Sequence, residues 1–180
     1  MGLESYNFLL YPKKNKSSLT DEGWETFGEE SVLFSNVKNA LESMLNFHLY
    51  TPKDMWATDD AECYYSYSDE TSIIEVQIGL GVLTKEVDEI SVRFAVCNPE
   101  GTFEKALEIC NELAIKLDMN VLDMKLQEIL DFGNELQLIR SKKKFQEKRE
   151  KFYSTFDLPI DIIAKPLYCD EVFDVLKGKH

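Results

Sequence analysis

Residues 72–97 read SIIEVQIGLGVLTKEVDEISVRFAVC, and the period of this stretch decides the fold. In its first half Ile74, Val76, Ile78 and Leu80 alternate with Glu75 and Gln77. In its second half Ile90, Val92, Phe94 and Val96 alternate with Glu89, Ser91 and Arg93. A strand sends successive side chains to opposite faces, so a period of two sorts these residues into an apolar side and a polar side. That pattern belongs to antiparallel strands with one face on a core and one toward water. Gly79 and Gly81 end the first strand and residues 84–88 form a turn, which makes the pair part of a meander.

The elements on either side fit the same sheet. Residues 62–67, ECYYSY, read as a strand joined to the meander by a turn at Ser68-Asp69-Glu70-Thr71. Residues 5–11 read as an aromatic-rich strand that ends at Pro12, and residues 121–126 as a last short strand. Residues 12–30 read as a loop, with Trp24 and Phe27 folding back onto the body. Three helices are expected. Residues 32–48 place Leu33, Val37, Ala40, Leu41, Met44 and His48 at helical spacing, with Glu29 and Glu30 near the positive start of the helix dipole. Residues 103–117 carry an apolar stripe of Phe103, Ala106, Leu107, Cys110, Leu113, Ala114 and Leu117, with Thr102 as N-cap and Asn120 just past the end. Residues 134–155 form a long helix with a narrow seam of Leu138, Phe145 and Phe152. The order β-α-β-β-β-α-β-α predicts an α+β, two-layer sandwich with a mostly antiparallel sheet and helices on one face. The 180 residues suit a single domain, with 157–180 a tail that wraps the body.

Charge is unevenly spread. The net charge is −13, and residues 17–100 alone carry −13, while residues 140–151 carry +5. An acidic surface repels the phosphate backbone and anionic membrane, so neither nucleic acid nor a membrane is the expected partner. It attracts and steers a basic protein. The four cysteines, Cys63, Cys97, Cys110 and Cys169, form no CxxC and sit in apolar stretches, which predicts buried thiols and a reducing, cytoplasmic setting. No apolar run approaches the roughly 20 residues needed to span a bilayer.

Catalytic patterns are missing. His48 is the one histidine inside the chain, since His180 ends it, so a His-based zinc site or a Ser-His-Asp triad has too few parts. No GxxxxGK[ST] and no GxSxG occurs, and Gly79-Leu80-Gly81 lacks a third glycine. No cofactor is expected. The candidate partner-binding residues are Asp59, Asp60, Glu62, Tyr64, Tyr65, Tyr67, Asp69 and Glu70, because acids around tyrosines make the anionic, adhesive surface found at interfaces. Tyr65 and Tyr67 project to one side of their strand and Tyr64 to the other.

In size, acidity and lack of catalytic motifs the chain resembles bacterial toxin-neutralising immunity proteins. This is a likeness of type that no matched residue carries. It implies a non-enzymatic inhibitor of a basic toxin or nuclease. Two alternatives are a carboxylate-based, metal-assisted hydrolase or small-ligand domain, and a domain that self-associates along the 134–155 helix.

Overall fold

The computed structural model describes residues 2–53, 63–79, 85–160 and 162–178. Asp59, Asp60, Glu62, Trp56, Leu80, Gly81, Thr84 and His180 lie outside them.

The strands are β1 (Ser5–Pro12), β2 (Lys16–Thr20), β3 (Gly23–Phe27), β4 (Val32–Leu33), β5 (Phe47–Leu49), β6 (Tyr64–Ser68), β7 (Ile73–Ile78), β8 (Glu86–Val87), β9 (Ile90–Ala95), β10 (Met119–Asp123) and β11 (Glu128–Ile129). The helices are α1 (Phe34–Glu42), α2 (Thr102–Leu117), α3 (Glu135–Thr155) and the short α4 (Val172–Lys177). Seven strands form one sheet in the order β11-β10-β1-β9-β7-β6-β5, and each pairing is antiparallel. The α+β sandwich and the meander are therefore as the alternation predicts. β6, β7 and β9 lie side by side, with Tyr65 opposite Val76 and Val76 opposite Val92.

Register assigns the two faces. Tyr6, Phe8 and Leu10 share one face with Phe94, Val92 and Ile90. α2 and α3 pack on this face. Phe103 of α2 and Phe145 of α3 stack with centroids 5.0 Å apart, and Tyr6 meets Phe145 edge-on at 5.6 Å. The opposite face has two covers. Trp24 of the β2–β3 hairpin packs on Leu9, Tyr11 and Leu122. Farther along, the C-terminal segment lies over β7 and β9, where the Cys169 N–H donates to Glu75.

Several local expectations give way to tertiary structure. Residues 12–30 hold a hairpin, not a loop. Thr20 pairs with Gly23 across a two-residue turn, and the Thr20 hydroxyl donates to the Gly23 carbonyl at 3.0 Å. Gly23 has φ of 122°, a conformation side chains with a Cβ avoid. Gly23→Ala is expected to lower stability by about 1–2 kcal/mol through backbone strain alone, since open space surrounds the site. Thermal unfolding would read this as a Tm lower by roughly 2–8 °C.

α1 ends at Glu42, well before residue 48, and Asn46 takes a left-handed φ of 66° that turns the chain into β5. His48 is consequently an exposed strand residue near the Tyr168 hydroxyl (3.4 Å), not part of a helix seam. Glu29 and Glu30 stand apart from the α1 start, because β4 intervenes and Glu30 pairs with Lys14. Thr102 is the first residue of α2; Gly101 is the cap, and the Thr102 hydroxyl donates to the Pro99 carbonyl at 2.9 Å. The helix terminates at Asp118 with φ of 52°, two residues before Asn120, which belongs to β10.

Candidate functional site

The described members of the expected tyrosine–acid surface do not form one exposed patch. The Tyr65 ring is in the core, 2 % exposed. Tyr64 faces the other way, and its hydroxyl accepts from the Gln77 amide at 3.1 Å. Tyr67 is 7 % exposed and its hydroxyl donates to Asp69 at 2.6 Å. Asp69 also accepts the backbone N–H groups of Thr71 and Ser72, both at 2.8 Å, so it locks the β6–β7 turn. Burial raises the Asp69 carboxyl, but these hydrogen bonds outweigh it and hold the group below the usual 3.8. Glu70 is exposed at the turn. β6 is the second strand from the sheet edge, and register puts Tyr65 and Tyr67 on the helix-bearing face, which is why these two rings are covered.

Tyr67 lines one wall of a shallow groove of about 390 Å³ between the α1–β5 connection and α2. Leu45 stands at this groove 85 % exposed. Its acids are locally balanced, with Glu108 on Lys105 at 2.7 Å and Glu112 on Lys116 at 2.8 Å. The groove therefore projects little net charge.

The unbalanced acidity is displayed elsewhere, on the β2–β3 hairpin and the β8 turn beside it. Asp21, Glu22, Glu25, Glu29 and Asp88 have no ion-pair partner among the described residues. The Thr26 hydroxyl donates to Glu89 at 2.6 Å and joins the hairpin to that turn. Phe27 at 51 % and Leu33 at 54 % are exposed in the same region, whereas Leu19, opposite Trp24, is 53 % exposed on the other side of the hairpin. Hairpin register puts Glu25 and Phe27 on the side away from the Trp24 anchor. Exposed apolar groups rimmed by like charge characterise a protein-binding face more than a merely solvated one. The sequence carried the acids of this face in plain sight; the hairpin that presents them was hidden because its strands are mostly polar.

Two buried polar networks are structural. Asp123 is fully buried and accepts from the Tyr6 hydroxyl at 2.9 Å, from the Ser141 hydroxyl, and from the Lys125 and Leu126 N–H groups at 2.9 Å each. Burial pushes its carboxyl above the usual 3.8, although these donors oppose the shift. Glu75 is 3 % exposed and accepts from Arg93 at 2.8 Å, from the Tyr50 hydroxyl at 3.1 Å and from the Cys169 N–H at 2.9 Å. Tyr168 stacks on Tyr50 with centroids 4.4 Å apart and closes the network. Alternation alone puts Glu75 toward water; the C-terminal segment, arriving from 94 residues away, covers it. All four cysteines are free thiols and buried.

Among the described residues no three His, Cys, Asp or Glu side chains converge as a metal-ligand set, and no helix is long and apolar enough to cross a membrane. Compared with protein-family models, curated proteins and solved structures, the chain finds no match.

Proposed function

We propose that this chain is a non-enzymatic binding domain that receives a basic protein on the face formed by the β2–β3 hairpin and the β8 turn. The observation that carries this reading is the set of unpaired acids, Asp21, Glu22, Glu25, Glu29 and Asp88, in the region of the exposed Phe27 and Leu33. Unpaired like charges accelerate encounter with a partner of opposite sign, and the apolar groups supply contact area once it has docked. The immunity-type role is the specific form of this proposal: a basic toxin or nuclease, neutralised in a reducing compartment such as the cytoplasm. The four free thiols fit such a compartment.

The test uses the triple charge reversal Glu22→Lys, Glu25→Lys, Glu29→Lys beside the unaltered chain. Affinity capture from the producing cells, at low and moderate salt, should retain a specific basic protein on the unaltered chain and lose it on the variant. With that partner purified, the association rate should fall at least tenfold at low salt, on the order expected when steering charges are inverted. Its salt dependence should flatten as well. Equal association rates for the two chains would remove the hairpin from the interface.

A further inference from the structure

We propose that the cleft between the start of β1 and the C-terminal half of α3 binds a small phosphorylated anion through Lys125, Lys148 and Lys151. The cleft encloses about 450 Å³ and is lined by Gly2, Leu3, Lys125, Glu147, Lys148 and Lys151. It is separate from the acidic hairpin face and does not depend on the role assigned to that face. β1 runs from one site to the other, and its eight residues span about 26 Å at 3.3 Å each.

Lys148 carries the argument. It lies on the buried stripe of α3 together with Ser141, Phe145 and Phe152, where an apolar residue would pack best. It is 9 % exposed as a residue, with its stem buried and its ammonium reaching the cleft, where it makes no hydrogen bond or ion pair with the described residues. A lysine on a buried stripe runs its stem along apolar neighbours and keeps its charged head at water. In a chain with 33 acids and 20 bases, a carboxylate is easily recruited to such a position. The acid of the lining, Glu147, is instead engaged by Lys144 at 3.1 Å. Glu4 attracts Lys148 and Lys125 repels it; burial, the largest influence, and Lys125 together hold the Lys148 ammonium below its usual 10.5. Lys125 and Lys151 are exposed at the mouth, also without ion pairs among the described residues. Positions where a local packing rule fails are expected at functional or strained sites.

The chemistry of the lining selects the ligand class. Lysine ammoniums bind phosphate as point charges, and three of them suit a dianion or a pyrophosphate. No aromatic side chain lines the cleft, so a nucleobase has no surface to stack on. A long polyanion would meet the −13 of the whole chain beyond this local patch. A compact phosphate-bearing molecule avoids that repulsion.

Thermal unfolding of the full chain at pH 7.5 tests the proposal, with 10 mM inorganic phosphate or pyrophosphate against sodium chloride at matched ionic strength. The expected result is a Tm rise of about 3 °C or more with pyrophosphate, as follows when ligand is well above its Kd. Lys148→Met should abolish the response while itself raising the unliganded Tm, since it puts an apolar side chain on the buried stripe of α3. Lys125→Gln, on an exposed turn, should weaken pyrophosphate binding at least tenfold, and it decides the matter if Lys148→Met fails to fold. No Tm rise over chloride would overturn the site, and so would a rise that persists in Lys125→Gln, which would mean an adventitious ion only.

Discussion

Asp123→Ala should lower the unfolding free energy by about 3–5 kcal/mol, because several buried donors lose their acceptor at about 1–3 kcal/mol each. The substitution strands the Tyr6 and Ser141 hydroxyls and the N–H groups of Lys125 and Leu126, all of which now donate to one fully buried carboxylate. It also unties α3 from β10, since Ser141 belongs to the helix and Asp123 to the strand. Asp123→Asn should cost much less, about 1–2 kcal/mol, because the amide oxygen still accepts from the backbone while its NH2 faces the hydroxyls. The pH dependence separates the two effects. Because the folded state holds the Asp123 proton more tightly than the unfolded chain does, its contribution to stability falls as pH rises from 3.8 through the higher folded value. Asp123→Asn should remove that part of the slope, as urea unfolding at pH 3.5–7 would show. A slope unchanged from that of the native sequence would mean that Asp123 titrates in the folded state as it does in water.

Glu75→Ala is the second large effect, again about 3–5 kcal/mol, because it leaves the Arg93 guanidinium uncompensated under the C-terminal segment. Here the loss should be visible locally as well as globally. Glu75 anchors the Cys169 N–H and the Tyr50 hydroxyl, so residues 162–178 lose a fixed attachment to the sheet. Limited proteolysis should therefore cut the variant in this segment at least tenfold faster than the native chain. Glu75→Gln, which retains an acceptor, should restore much of the protection. An equal cutting rate in native and Glu75→Ala chains would show that the other attachments hold the segment without Glu75, among them the Asn98 hydrogen bonds with the Leu167 backbone at 2.8 and 3.1 Å and the buried Cys169, Val172 and Leu176.

The two networks also show what the residue pattern can and cannot convey. The meander was legible because β7 and β9 carry one apolar and one polar face, and that contrast is a local property. Glu75 sits on the polar face as the pattern says, but its burial depends on a segment far along the chain. The β2–β3 hairpin was illegible for the opposite reason. KSSLT and WETF have weak alternation, and Trp24 is what ties them to Leu9, Tyr11 and Leu122. Aromatic content marked Tyr64, Tyr65 and Tyr67 as a surface, whereas the helices above β6 make Tyr65 and Tyr67 part of the interior. Lys148 had a readable signal that the basic run obscured. Its spacing of three from Phe145 and four from Phe152 places it on the apolar stripe rather than with Lys142 and Lys143 on the exposed side.

The outermost strands of the large sheet are its shortest. β5 has three residues and β11 has two, and the latter bears Glu128 in an ion pair with Arg140 at 2.7 Å. A foreign chain that tried to extend the sheet would find too few open amide and carbonyl groups at either margin to hold it in register. Among the described residues, the broad sheet thus ends in short margins rather than in a closed barrel.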